Sequence, residues 1–242
     1  ANHGANAADM GNSLVSVDYG SGLTVQSLAA GYDETCVLFT DGRVKCWGLC
    51  KCYGDTLARG ENGEEDEMGD QLPFVQLGDD DIVDSLSLGA GHGCVVMSAG
   101  NVKCWGDGAN GKLGYADTMS RGDDPNEMSG NLPLVELGTG TFVSSLALGY
   151  GHSCALFDDN TVKCWGENTV GQLGYEDTED RGNEDSEMGD DLPTVDVGHT
   201  GKVVQLAAGN DFTCALFNDG AVKCWGSNSA GQLGVGDTSG RG

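Results

Sequence analysis

Apolar and polar positions alternate with a period of two through short stretches of this chain, the pattern of half-buried strands rather than helices. The segment CALFDDNTVKCWG, residues 154–166, carries apolar and β-branched residues on both sides of Asp158-Asp159-Asn160. That pattern predicts two antiparallel strands joined by a tight turn. VSSLALG before it, like KVVQLAAG later in the chain, predicts a third strand ending in glycine. LPTVDVG predicts a fourth, opened by Pro193, because proline at a strand's first position loses no ladder hydrogen bond.

The same pattern recurs. Cys36, Cys94, Cys154 and Cys214 stand 58, 60 and 60 residues apart, and Cys46, Cys104, Cys164 and Cys224 follow each by ten. Four units of about 60 residues result, at 21–78, 79–138, 139–198 and 199–242. The last unit stops at DTSGRG, and residues 9–20, DMGNSLVSVDYG, match the closing EMGDDLPTVDVG of a unit, so 1–20 are expected to complete it within one repeat domain spanning 1–242. Four short antiparallel strands at a fixed period describe the blades of an all-β propeller.

The hairpin register decides the chemistry of the cysteines. If 157 pairs with 161, then 154 faces 164, at a separation a disulfide can bridge. The expected bridges are Cys36–Cys46, Cys94–Cys104, Cys154–Cys164 and Cys214–Cys224, and bridges in quantity imply an extracellular or lumenal oxidising compartment. Eight buried free thiols are the alternative. A zinc site would want CxxC or histidine partners, which are absent. Cys50 and Cys52 break the rule of one pair per unit, so they bridge each other, clip the first unit elsewhere, or join another chain.

Charge narrows the partners. With 12 Lys+Arg against 38 Asp+Glu the net charge is −26, which repels nucleic-acid phosphates and anionic membranes. No apolar run approaches the ~20 residues that span a bilayer. The 41 glycines among 242 residues fit many turns and close backbone approaches.

The succession Ala-Gly-x-x-His-x-Cys-Ala-Leu, Gly-x-Val-Lys-Cys-Trp-Gly and Gly-Gln-Leu-Gly resembles the repeats of the regulator of chromosome condensation family, over nearly the whole chain. The resemblance implies a seven-bladed propeller with one repeat per blade, so four units are either four blades in their own arrangement or part of a larger ring. It also implies a scaffold whose loops bind protein partners. The founding member's nucleotide exchange on a small GTPase and its nucleosome docking are not expected of a chain this acidic. The first unit departs from the pattern, with LCKCYGDT after Trp47-Gly48 where the third has ENTVGQLGYEDT.

The remaining motifs read as structure. Trp47, Trp105, Trp165 and Trp225, one per unit, are expected in the core. The Gly-x-Leu-Gly runs at 111–114, 171–174 and 231–234 lack the following helix a phosphate loop requires. In Asp-Thr-x-x-Arg-Gly, Asp55 with Arg59, Asp117 with Arg121, Asp177 with Arg181 and Asp237 with Arg241 are expected to form ion pairs. His92 and His152 fill a place taken elsewhere by Glu34 and Phe212, which fits structural histidines. No nucleophile and base are paired in the sequence, so no enzyme and no cofactor are indicated. The acidic loops, 61–70, 123–127 and 184–191 with 79–81 nearby, offer hard oxygen ligands, and calcium at Asp123, Asp124, Glu127 or at Glu184, Asp185, Glu187 is the metal to consider against a solvated acidic face. The expected function is a non-enzymatic interaction module displaying acidic loops to a protein partner. A structural protein assembling head to tail, or an accessory subunit of a larger complex, is the alternative.

Overall fold

The computed structural model describes residues 10–60, 67–78, 82–140 and 142–242. Its strands form four three-stranded antiparallel sheets, each ordered as it runs along the chain. Blade one holds β1 (Val25–Ala30), β2 (Glu34–Phe39) and β3 (Val44–Gly48). Blade two holds β4 (Val83–Leu88), β5 (His92–Met97) and β6 (Val102–Gly106). Blade three holds β7 (Val143–Leu148), β8 (His152–Phe157) and β9 (Val162–Gly166). Blade four holds β10 (Val203–Ala208), β11 (Phe212–Phe217) and β12 (Val222–Gly226). The all-β propeller fold expected from the repeat is present, with four blades.

The hairpins have the register read from the turn. Phe157 N–H donates to Thr161 O and Asn160 N–H to Phe157 O, and Cys154 lies opposite Cys164. Asn160 takes the left-handed backbone at φ 72°, where the other hairpins place Gly42, Gly100 and Gly220; asparagine is the side chain that best tolerates it. Asp159 helps by accepting from Thr161 N–H at 2.9 Å.

The fourth strand does not form as a ladder. LPTVDVG and its equivalents run extended beside the third strand, yet each makes one backbone hydrogen bond to it: Val75 to Val44, Val135 to Val102 and Val195 to Val162, all 2.8 Å. Pro73, Pro133 and Pro193 have no N–H to donate, so pairing waits two residues for the valine. The leucine before each proline still anchors the segment, since Leu72, Leu132 and Leu192 are all buried.

Cores lie between blades, not within them. β1 packs on β4, β4 on β7 and β7 on β10. Cys36 and Cys46 share an apolar cluster with Trp105 of the next blade, Cys94 and Cys104 with Trp165, and Cys154 and Cys164 with Trp225. Where the inner strands end, the blades touch through glycine: a Cβ on Gly149 would stand 2.6 Å from Gly209 O. No other residue allows that approach. Gly31, Gly89, Gly149 and Gly209 thereby ring a shallow cavity of about 270 Å³ whose rim carries Tyr32 and Tyr150, their rings edge to face at 6.4 Å. β1 and β10 are not packed together in this way, and the run of blades is open. Residues 10–20 lie beside blade one, where Asp18 O accepts from Gly69 N–H, as Glu136 O accepts from Gly189 N–H, and Asp70 accepts from Ser21 N–H at 2.7 Å.

Candidate functional site

Each junction between blades two, three and four is closed by side chains from both partners. Ser153 on β8 stands opposite Trp165 on β9, so both leave blade three toward blade two. Ser153 Oγ–H and Trp165 Nε1–H donate to the same oxygen, Lys112 O, at 2.9 and 3.0 Å. The carbonyl has two lone pairs and both are used. With its single proton committed there, the serine oxygen accepts from His92 Nε2–H at 3.0 Å, which fixes the neutral tautomer of the imidazole. The next junction repeats the device. Thr213 and Trp225 donate to Gln172 O, both at 3.0 Å, and Thr213 accepts from His152 at 2.9 Å.

A serine and a histidine in contact have the form of a nucleophile with its base, a pairing the sequence did not reveal. Here Ser153, His92 and His152 are completely buried, and the hydroxyl proton belongs to a main-chain carbonyl. The contact ties blade two to blade three through side chains that solvent does not reach.

The first junction lacks this lock. Glu34 stands at the histidine place and Gly93 at the hydroxyl place, so Glu34 Oε1 and Trp105 Nε1 are buried without hydrogen-bond partners. The shortened segment after Gly48 offers Trp105 no carbonyl. Cys50 and Cys52, bonded to each other, fill that space and join the core. The four cross-strand bridges are Cys36–Cys46, Cys94–Cys104, Cys154–Cys164 and Cys214–Cys224.

These buried groups give a pH signature. Burial holds His92 down to about 3 and His152 to about 4, below the usual 6.5, so the stability they confer is full above pH 6.5 and is lost as pH falls toward 4. Burial, with Asp33 nearby, pushes Glu34 up to about 7 from 4.5; its contribution is present below pH 4.5 and lost as pH rises through 7. Between pH 4.5 and 6.5 the unfolded chain takes up two histidine protons against one held by folded Glu34. The folding constant should therefore rise about tenfold per pH unit there. Urea unfolding at pH 5 and 6 measures this, and His152→Phe, the residue blade four already has as Phe212, should flatten the slope.

The Asp-Thr-x-x-Arg-Gly segments are closed loops. Arg59, Arg121, Arg181 and Arg241 pair with Asp55, Asp117, Asp177 and Asp237 at 2.7 to 2.8 Å, while each arginine backbone bridges the glycine that ends its hairpin. Of the tryptophans, Trp105, Trp165 and Trp225 are buried, and Trp47 is only partly buried.

The acidic loops are partly organised by their own carboxylates. Glu127 accepts from Gly122 and Asp124 N–H at 2.8 and 3.1 Å, and Glu187 from Gly182, Asn183 and Glu184 N–H at 3.0 to 3.1 Å. Asp123 pairs with Lys51 at 3.2 Å. Asp124, Glu184 and Asp185 remain exposed at the tips. Residues 61–66 and 79–81, counted among the acidic segments, lie outside the described residues. Among the described residues, the one trio of Cys, His, Asp or Glu atoms close enough to share an ion is Cys36, Cys46 and Cys50, all held in disulfides.

The repeat itself is recognisable beyond this chain. Sequence models of the regulator of chromosome condensation (RCC1) repeat match residues 25–54, 83–112, 143–172 and 203–232, and 159–216. This chain belongs to the RCC1-repeat family. Among its RCC1-repeat relatives, the human probable E3 ubiquitin-protein ligase HERC6 is 30% identical over 88% of the chain, and the Arabidopsis thaliana ultraviolet-B receptor UVR8 is 32% identical over 63%. The chain spans 19% and 31% of those proteins. Human WBSCR16 shares the fold with a TM-score of 0.62 at 21% identity, covering 85% of this chain and 48% of that one. Yeast RCC1 (Prp20), solved bound to Kap60, does so at 0.52 and 18%, covering 91% and 60%.

Proposed function

We propose that this RCC1-repeat chain is a non-enzymatic protein-interaction module that presents its rigid acidic loop tips to a basic protein surface in an oxidising compartment. The observation that carries the reading is the division of labour in the loops. Glu127 and Glu187 fix the loop backbone through amide hydrogen bonds, and Asp124, Glu184 and Asp185 are left unpaired at the tips. Preorganised surface charge steers association with an oppositely charged partner. Yeast RCC1, which shares the fold, has been solved bound to Kap60, and Prp20p has been studied for binding to Gsp1p and histones, which supports a protein as the ligand class. The five disulfides support an oxidising location, and among the described residues no helix is long and apolar enough to cross a membrane. The large pKa displacements of His92, His152 and Glu34 belong to blade junctions and not to the open cavity, which supports a role without reaction chemistry.

Affinity capture on the oxidised protein at low and high salt tests this. The expected result is a basic partner whose retention falls with salt and whose association slows at least tenfold when Asp124, Glu184 and Asp185 are changed to their amides. A partner indifferent to both would refute the charge-steered reading.

A further inference from the structure

Where the first unit breaks the repeat, a second pair of sulfurs stands beside the first. From Leu49 to Gly54 the chain belongs to no strand or helix, and its side chains alternate. Leu49 is exposed and Lys51 and Tyr53 reach the surface, while Cys50 and Cys52 turn into the core shared with Trp105. The sulfur of Cys50 lies within 4.8 Å of both sulfurs of the Cys36–Cys46 staple. Blades two, three and four carry one bridge each, with no neighbour to exchange with.

Fold stability does not account for this second bridge. The loop entropy a disulfide removes grows with the loop it closes, and Cys50–Cys52 closes over Lys51 alone. The shortened segment that carries it also leaves Trp105 Nε1 and Glu34 Oε1 buried without hydrogen-bond partners. A local rule broken with no structural gain marks a functional place. The bridge is also the one that can be reached most readily. The four staples lie inside hydrogen-bonded hairpins, whereas local opening of 49–54 uncovers Cys50 and Cys52 without breaking a ladder. Lys51 sets a cation between the two sulfurs, which favours their charged forms after cleavage.

The same segment carries the acidic loop of blade two. Lys51 Nζ pairs with Asp123 at 3.2 Å, Gly54 N–H donates to Gly122 O at 2.9 Å, and a Cβ on Gly122 would strike Lys51 O. The matching loop of blade three, capped by Glu187 as this one is by Glu127, rests on Gly111 instead.

We propose that Cys50–Cys52 is a thiol–disulfide exchange site for an external dithiol, that it hands the opening on to Cys36–Cys46, and that its opening releases the acidic loop of blade two. A thiolate of the dithiol attacks one bridge sulfur to form a mixed disulfide, and the other bridge sulfur leaves and takes a proton. The second thiolate of the dithiol then displaces the half-cystine still attached. The dithiol departs as its own disulfide, and its two electrons and two protons remain on Cys50 and Cys52. Cys50, after losing its proton to solvent, attacks the staple: a bond forms to Cys36 or Cys46, the bond between those two breaks, and the released sulfur takes up a proton. This step moves a bridge with no net transfer of electrons. Lys51 and Gly54 no longer fix Asp123 and Gly122, so the tip carrying Asp124 loses its rigidity. The consequence for binding rests on the charge-steered reading above; the exchange chemistry does not.

The test treats oxidised wild-type protein at neutral pH with a small excess of dithiothreitol, quenches with iodoacetamide and maps the alkylated sites by mass spectrometry. Cys52 should be alkylated first, together with one of Cys36, Cys46 and Cys50, at least about tenfold faster than any cysteine of blades two to four. Amide hydrogen exchange across 122–127 should quicken at least about tenfold under the same conditions, while 182–187 stays unchanged. In Cys52→Ser without reductant, the single thiol should be shared between Cys50 and the 36–46 pair. Cys50→Ser combined with Cys52→Ser should exchange 122–127 at the fast rate with or without dithiol. A staple of blades two to four that opens as early as Cys50–Cys52, a thiol confined to Cys50 in Cys52→Ser, or an unchanged rate at 122–127 after Cys52 is alkylated would overturn the proposal. A loosened loop with unaltered capture of a basic partner would instead count against the charge-steered function and leave the exchange site standing.

Discussion

Full reduction at neutral pH should unfold this protein. Each cross-strand bridge spans ten residues of sequence and removes just under ~3 kcal/mol of loop entropy from the unfolded chain on the chain-entropy account. Four such bridges together approach the ~5–15 kcal/mol that keeps a whole domain folded. The effect is large because the cores lie between blades, so each hairpin needs its own staple before it can offer a face to its neighbour. Cys154→Ala with Cys164→Ala, which removes one staple, should cost about 2–3 kcal/mol. Tryptophan fluorescence and near-ultraviolet circular dichroism with and without reductant read the outcome. An unchanged melting curve after every bridge is reduced would show that packing alone suffices.

The four tryptophans are equivalent in sequence and should be unequal in energy. Trp165→Ala empties a buried position between blades two and three and takes one of two donors from Lys112 O; a cost of about 3–5 kcal/mol is expected. Trp47→Ala removes a ring that is only partly buried and should cost less than Trp165→Ala, because less buried apolar area is lost and no hydrogen bond to a carbonyl is lost. Urea midpoints of the two variants provide the comparison. Equal losses would contradict this ordering by burial.

The hairpins were legible because their information is local: Asp158-Asp159-Asn160 sets the turn, the turn sets the register, and the register sets Cys154 against Cys164. The fourth strand was over-read, since alternation in LPTVDVG predicts an extended chain but cannot count the hydrogen bonds that Pro193 removes. The junction lock stayed hidden for a different reason. His92 meets Ser153 across 61 residues, and no pattern within one unit encodes that contact. A signal existed in the hydroxyl that follows the variable Glu34, His152 and Phe212, namely Thr35, Ser153 and Thr213, but Gly93 interrupts it. Likewise, Glu127 and Glu187 were read as part of an acidic cluster, whereas the fold uses them as acceptors for loop amides.

Peptide mapping of the unreduced protein by mass spectrometry addresses the stapled-blade architecture most directly. Five linkages are expected, 36–46, 50–52, 94–104, 154–164 and 214–224, with no free thiol. Bridges that cross from one unit to another, or cysteines that alkylate without reduction, would contradict it.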